Sequence, residues 1–345
     1  MLRPLPKFID VVHGLLGSAD DVAARVLRAA AFACAALLSF AASAQSWPAK
    51  PVRLILGYTT GGAADSTARP LIAKMEPALG QSFVIEYRPG AGATIAADAA
   101  AKAPPDGYTL HLVDAGPMTI APHLSKVGYD PLASFTPIGL VNVGGSAIVA
   151  HPSVPVNSLA ELIRLAKSQP GKFSYGTSGV GGAGHLAGEL FKSITQTDLV
   201  HVAYKGGAPA MTDLMGGQIP LLFSSMATAV PHIKSGRIKG LAVTALQRAS
   251  AIPDVPTAAE QGLPGYEAVA WFALIGPAGL PAEVVSSASR ALNRALEDRG
   301  FQEAIRAQGF ETASVPSTPA KLASLIRSDF EKWGKVVRDA KIKAE

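Results

Sequence analysis

The chain of 345 residues contains one cysteine, Cys34, so no intrachain disulfide can form and no cysteine-built metal centre is available. Aromatic residues are scarce at 6%, and charged residues make up only 17%. No dense Lys/Arg block occurs and none is interleaved with aromatics, which argues against nucleic acid as a partner. The seven histidines are scattered without metal-ligand spacing, and no H-E-x-x-H is present. Gly176-Thr177-Ser178-Gly179-Val180 misses the G-x-S-x-G nucleophile elbow at its last position. After residue 50, no stretch approaches the roughly 20 apolar residues that cross a bilayer.

Glycine and proline are plentiful. The 34 glycines and 26 prolines are spread over many short segments, and 48% of the residues are hydrophobic. A chain of this length can bury a large core and is expected to form two domains.

The amino-terminal segment reads differently from the rest. Arg25 and Arg28 precede the apolar run "AAAFACAALLSFAA", and Ala42-Ser43-Ala44 then offers a small-residue cleavage site. A positive n-region, a short apolar h-region and such a site make a secretory signal peptide over residues 1–44. Its n-region is long enough before Val22 to suggest a start codon assigned too early. A lipoprotein reading of Cys34 is weaker, because Ala31 stands where a lipobox prefers Leu. Cleavage after Ala44 would leave 301 of the 345 residues and no thiol. Losing Arg3, Lys7, Arg25 and Arg28 from 31 basic residues, and Asp10, Asp20 and Asp21 from 26 acidic ones, leaves 27 against 23. This mild positive balance suits a small anionic ligand.

Beyond residue 50, strand-like runs alternate with glycine turns and helical periodicity. "VRLILGY" (52–58), "FVIEYRP" (83–89) and "YTLHLVDA" (108–115) each lead into a helical stretch. Pro70 and Pro77 interrupt the first of these helical patterns. A second series begins near Ser146 with "SAIVAHP", followed by "KFSYGTS", "LVHVAYKG", "IPLLFSS" and "IKGLAVTA". Ser158 with Glu161 forms a capping box, and Thr318 caps a last helix with Pro319 in its first turn. The alternation predicts an α/β fold of two lobes, each a mostly parallel sheet flanked by helices. Two extended passages, 135–149 and 268–277, are the crossing strands. Lobe one comprises 45–145 and 272–345, with the C-terminal helices returning to it, and lobe two comprises 146–271. Ligands of open α/β sheets sit outside the carboxyl ends of the strands, so a cleft between the lobes is the expected site.

Gly179, Gly181 and Gly184 spell G-x-G-x-x-G, the form of a dinucleotide loop. That fingerprint needs an acidic residue at the end of the next strand. Here Asp198 precedes the strand "LVHVAY", which ends in Tyr204-Lys205, so no dinucleotide cofactor is expected. What remains is the general chemistry of glycine loops at helix N-termini, where backbone N–H groups approach an anion closely. Gly61-Gly62 and Gly206-Gly207 repeat the arrangement. With no P-loop lysine, a carboxylate fits better than a nucleotide. Tight turns alone would also account for the glycines. Asp65 reads as an N-cap or as a receiver of a ligand amine or hydroxyl. His185 reads as a structural or ligand hydrogen-bonding group, and the pair Ser178 and His185 as the basis of a secreted hydrolase. Tyr58 and Trp271 read as core residues at the mouth of the cleft.

With these motifs in place, the chain resembles the Bug/TctC family, the extracytoplasmic solute-binding proteins of tripartite tricarboxylate transporters. "RPGAGATIAADAAAKAPPDGYTL" and "YKGGAPAMTDLMGGQI" carry the resemblance most specifically, and matching segments run in family order from Trp47 onward. The resemblance implies a type II-like Venus flytrap that captures a small carboxylate in the periplasm. It would be a monomer without cofactor or enzyme activity, serving a small and a large membrane subunit. The alternative is a sensor that feeds a signalling receptor. The family holds its ligand through backbone N–H groups and bridging waters. Carried over, the binding residues are Tyr58, Thr60, Gly61, Gly62 and Asp65 in lobe one. In lobe two they are Thr177, Ser178, Gly181, Gly182 and His185, the turn of Tyr204, Lys205 and Gly206, and Ser224. The family's first loop usually reads Pro-Phe-x-Pro-Gly-Gly, whereas this chain has Gly57-Tyr58-Thr59-Thr60-Gly61-Gly62. Family members also commonly place Ser or Thr where Gly182 and Gly184 stand. These departures imply a ligand different from the simple di- and tricarboxylates of the family.

Overall fold

The computed structural model describes residues 23–28, 30, 47–339 and 342. The cleavage site expected at Ala42-Ser43-Ala44 and most of the expected signal segment lie outside them. The chain divides into two compact units, Met1–Ala49 and Lys50–Glu345. Every element named below belongs to the second unit.

The first βα module runs β1 (Val52–Leu56), α1 (Ala63–Leu79), β2 (Phe83–Tyr87), α2 (Thr94–Ala101) and β3 (Thr109–Asp114). A π-turn (Gly116–Ile120) and a short α3 (Ala121–Leu124) follow. Helix α1 passes through both Pro70 and Pro77 and stops at Gly80, whose left-handed backbone (φ 70°) closes the last turn. Proline at position 70 leaves the Ser66 carbonyl without its helical donor. Gln308 supplies one instead, its Nε2 lying 3.1 Å from that oxygen.

Strand β4 (Phe135–Ala150) then carries the chain into a second module. This comprises α4 (Leu159–Ser168), β5 (Ser174–Thr177), α5 (Ala183–Thr195), β6 (Val200–Ala203), α6 (Gly207–Met215), β7 (Leu221–Ser225), α7 (Met226–Lys234) and β8 (Lys239–Val243). The Ser158 hydroxyl caps α4 by accepting the Glu161 N–H at 3.2 Å, while the Glu161 carboxylate reaches back to the Asn157 N–H at 2.6 Å. Strand β9 (Val269–Pro277) returns the chain. It is followed by α8 (Ala282–Glu297), α9 (Arg299–Ala307), β10 (Glu311–Thr312) and α10 (Pro319–Asp339). Thr318 accepts the Lys321 N–H at 3.2 Å and so caps α10.

The strands order as β2-β1-β3-β9-β4-β7-β5-β6, with β8 and β10 also paired to β4. Both flanks are parallel, as the βα alternation requires. The centre is antiparallel, because β4 and β9 run opposite to the strands beside them. Residues 135–145 of β4 pair with β9, and residues 146–150 pair with β7. One long strand therefore belongs to both halves of the sheet.

Two of the hydrophobic clusters among the described residues bear on the site. One gathers Ile55, Val113, Trp271, Ala273 and Ile275 with Ala96, Ala97 and Ala100 of α2. The other gathers Ile148, Tyr175, Phe191, Phe223 and Tyr266. Fully burying a side chain of this kind contributes about 1.5–3 kcal/mol. Helix α10 serves both cores, with Leu322 and Ile326 in the first and Trp333 and Val337 in the second. The C-terminal helices were expected to return to the first lobe only. The 21 residues of α10 extend about 32 Å, enough to reach past one core into the next. The Trp271 indole N–H donates to Asp329 at 2.7 Å and ties this helix to β9. Burial raises the Asp329 carboxyl above its ordinary value.

Candidate functional site

A cavity of about 50 Å³ lies at the carboxyl ends of β1, β3 and β7, where β4 and β9 cross between the modules. That space exceeds what a single water needs. From the first module it is lined by Tyr58, Gly62, Ala63 and Asp114. From the second it is lined by Ser178, Ala183, Gly184, Gly207, Ser224 and Ser225. The crossing strands add Gly145, Ser146, Ala270 and Phe272, and Phe310 closes one side.

Four helices begin at this cavity. The N-cap residues of α1, α5, α6 and α7 are Gly62, Gly182, Gly206 and Ser225, and no side chain caps any of them. Each first turn therefore offers backbone N–H groups without helical partners, and each end carries about half a positive charge. Among the lining residues there is no Lys, Arg or His, and the single ionisable acid is Asp114. The attraction for an anion thus comes from backbone.

A hydrogen-bond chain crosses the cavity wall. The Ser178 hydroxyl bonds the Tyr58 phenol, and that phenol donates to Asp114 Oδ2 at 2.9 Å. Burial pushes the Asp114 carboxyl up to about 6, opposed by the Tyr58 hydroxyl and the Gly116 N–H. Burial, reinforced by the charge of Asp114, holds Tyr58 well above the ordinary phenol range.

Of the residues singled out in the sequence, Tyr58, Gly62, Ser178 and Ser224 line the cavity. The others lie elsewhere and do different things. Thr60 and Gly61 are exposed, and Asp65 turns away from the cavity to accept from Tyr87 (2.5 Å), the Gly61 N–H (3.0 Å) and Arg69 (3.1 Å). Burial alone would raise the Asp65 carboxyl, but these donors hold it below its ordinary value. Asp65 is also not the N-cap. Gly62 is, and Asp65 reaches back from the first turn. Thr177 is fully buried, bonds His201 Nε2 at 2.7 Å and accepts the Gly179 N–H at 3.2 Å, which shapes the loop. His185 is fully buried. Its Nδ1 accepts the Gly181 N–H at 3.3 Å, and its ring lies 4.4 Å from that of His201. The Tyr204 hydroxyl donates to Asp213 at 2.7 Å, and Lys205 is exposed.

The glycines of the second loop have a further task. Gly181 and Gly182 pack against Ala121 and Gly116 of the first module, and Gly206 packs against Thr59. At Gly92 a Cβ would stand 2.0 Å from the Val180 carbonyl oxygen. Part of the glycine-rich sequence therefore lets the two modules meet backbone to backbone. Trp271 is core and leaves the wall to its neighbours Ala270 and Phe272. Asp114 and Phe310 escaped the sequence reading. Asp114 ends a strand and was open to the strand-end rule, whereas nothing around Phe310 signals a cavity. Among the described residues, no three His, Cys, Asp or Glu side chains gather to hold a metal ion.

Two βα modules bridged by antiparallel crossing strands, with a cavity at the strand ends between them, define the two-lobe class of periplasmic binding proteins. The profile of the "Tripartite tricarboxylate transporter family receptor" (TctC) matches residues 67–342. Protein BugT of Bordetella pertussis is 34% identical over 305 residues, covering 87% of this chain and 93% of its own. The periplasmic binding protein BugD superposes with a TM-score of 0.84 at 35% identity, covering 87% of this chain and 100% of its own. The R. palustris protein Rpa4515, solved with adipate, gives 0.83 at 35% identity over 86% of this chain and 99% of its own. The chain belongs to the TctC family of solute-binding proteins, to which the Bug proteins also belong.

Proposed function

We propose that this protein captures a small carboxylate-bearing solute in the cavity between its lobes and presents it to the small and large membrane subunits of a tripartite tricarboxylate-type transporter. The observation that carries the proposal is the convergence of four uncapped helix N-termini on one cavity whose wall holds no basic side chain. Such a wall binds a carboxylate through backbone donors and ordered water. In this reading the lobes are residues 45–145 with 272–345, and residues 146–271. Residues 1–44 direct export to the periplasm and are removed. The binding residues among those named from the sequence are Tyr58, Gly62, Ser178 and Ser224. The adipate of Rpa4515 supports a carboxylate as the solute class.

Thermal unfolding of the purified chain against di- and tricarboxylates, amino acids and aromatic acids tests the proposal. A true ligand at one hundred times its Kd adds about 2.7 kcal/mol. Turnover of a model ester by Ser178 would contradict it. Adjacent genes for one small and one large membrane protein would support transport over signalling.

A further inference from the structure

Asp114 is out of character in a site built for anions. The residue is 6% exposed and lines the cavity that the solute would fill. Its partners are neutral, namely the Tyr58 hydroxyl at 2.9 Å, the Gly116 N–H and its own N–H. Among the described residues no cation acts on it, and those lining the cavity include no Lys, Arg or His. The other titratable group that feels its charge is Tyr129, which burial keeps neutral. Neutral donors alone offset only part of the cost of burying a carboxylate.

We propose that Asp114 selects the solute, and that the cavity takes a carboxylic acid whose skeleton also carries a protonated amine. The carboxylate sits at the helix N-termini and the ammonium at Asp114. This inference rests on the carboxylate-binding reading above and names the solute class within it. A plain dicarboxylate would bring a second negative group beside Asp114, a juxtaposition that disfavours binding. An ammonium there would pair the buried charge and leave the cavity balanced. The apolar part of the wall, Leu222, Phe223, Phe272 and Phe310, suits the carbon skeleton between the two groups. The elevated pKa of Asp114, about 6, still leaves it mostly ionised at neutral pH.

The test uses the full chain near neutral pH, with calorimetry on matched pairs that differ only in the amine. These are glutarate and glutamate, succinate and aspartate, and butyrate and 4-aminobutyrate. In the pair that binds, the amine-bearing member is expected to bind at least about tenfold tighter, equivalent to 1.4 kcal/mol. Asp114→Asn keeps the size and the ability to accept from Tyr58, and it is expected to abolish that difference. Asp114→Ser serves in its place should the Asn variant not fold. Equal or tighter binding of the plain acids would overturn the inference and leave the carboxylate reading intact. Equal weakening of both members by Asp114→Asn would overturn it too, since Asp114 would then only position the wall. In wild type the preference is expected to shrink as the pH falls through 6, because a protonated Asp114 neither holds an ammonium nor repels a second carboxylate, and a preference that persists unchanged would overturn the inference. Silence from every pair would overturn the inference, and the carboxylate reading would then stand or fall separately on the wider thermal panel.

Discussion

The contact of Gly92 with Val180 makes cleft closure open to a single-atom test. The Gly92 backbone has φ +59°, and a Cβ there would lie 2.0 Å from the Val180 carbonyl oxygen and 3.1 Å from its carbon. Carbon and oxygen settle at about 3.3–3.6 Å even in favourable contacts. Gly92→Ala therefore demands that the two segments separate by more than about 1 Å, and the obstacle is backbone that no rotamer change can move. The left-handed conformation itself adds about 1–2 kcal/mol for a residue with a Cβ. Ala91 (φ 47°) and Ala93 (φ 71°) already tolerate it on either side. Because Gly92 and Val180 belong to different modules, opening the cleft relieves the clash without unfolding either one. A closed form disfavoured by about 2.8 kcal/mol weakens the apparent affinity about a hundredfold, and half that penalty weakens it tenfold. Calorimetry with a bound carboxylate measures the loss, and thermal unfolding of the free protein measures the backbone cost. Gly80→Ala is the matched control, since its φ is +70° and nothing lies within 4 Å of the added Cβ. It is expected to lower Tm similarly and to leave affinity untouched. Wild-type affinity in Gly92→Ala would refute the reasoning.

Three further outcomes follow from the same geometry. The rise of Asp114 from 3.8 to about 6 means that the folded state holds its proton more tightly than the unfolded chain. Its contribution is therefore full below pH 4 and is lost as the pH climbs through 6, an effect of roughly 3 kcal/mol. The Tm difference between wild type and Asp114→Asn, followed across that window, is expected to move against wild type with rising pH, and a flat difference would contradict it. Ser225→Asp places a negative charge at the N-cap of α7 on the cavity wall. It is expected to leave Tm unchanged or raise it slightly, by about 0.3–1 kcal/mol, while the carboxylate-induced thermal shift disappears. Trp271→Phe strips the half-buried Asp329 of its 2.7 Å donor, and is expected to cost about 0.5–1.5 kcal/mol because the carboxylate keeps access to water, read as a lower Tm.

Much of the fold was legible because its signals are local. The βα alternation located the strands, and Ser158 and Thr318 marked helix starts. Pro70 and Pro77 left the course of α1 open, because the donor that compensates Pro70 is Gln308, distant in sequence. The reach of α10 into two cores was likewise invisible, since an apolar stripe does not say how many partners it meets. At the site, the glycine loops announced helix N-termini correctly. Their glycines could not announce how many of them serve the contact between modules and how many face the cavity. Asp65, Thr177 and His185 stand beside those loops in sequence, yet each spends its polar atoms on buried or local partners. Phe310 reaches the wall from the segment between α9 and β10, a placement that only tertiary packing decides.

The central claim is that backbone donors at four helix starts hold the solute carboxylate. A crystal structure of the full chain with its strongest thermal-shift ligand tests it most directly. The expected result places a carboxylate within hydrogen-bonding distance of the first-turn N–H groups beyond Gly62, Gly182, Gly206 or Ser225. A ligand found instead in the separate groove lined by Leu246, Arg248 and Glu267 would contradict it.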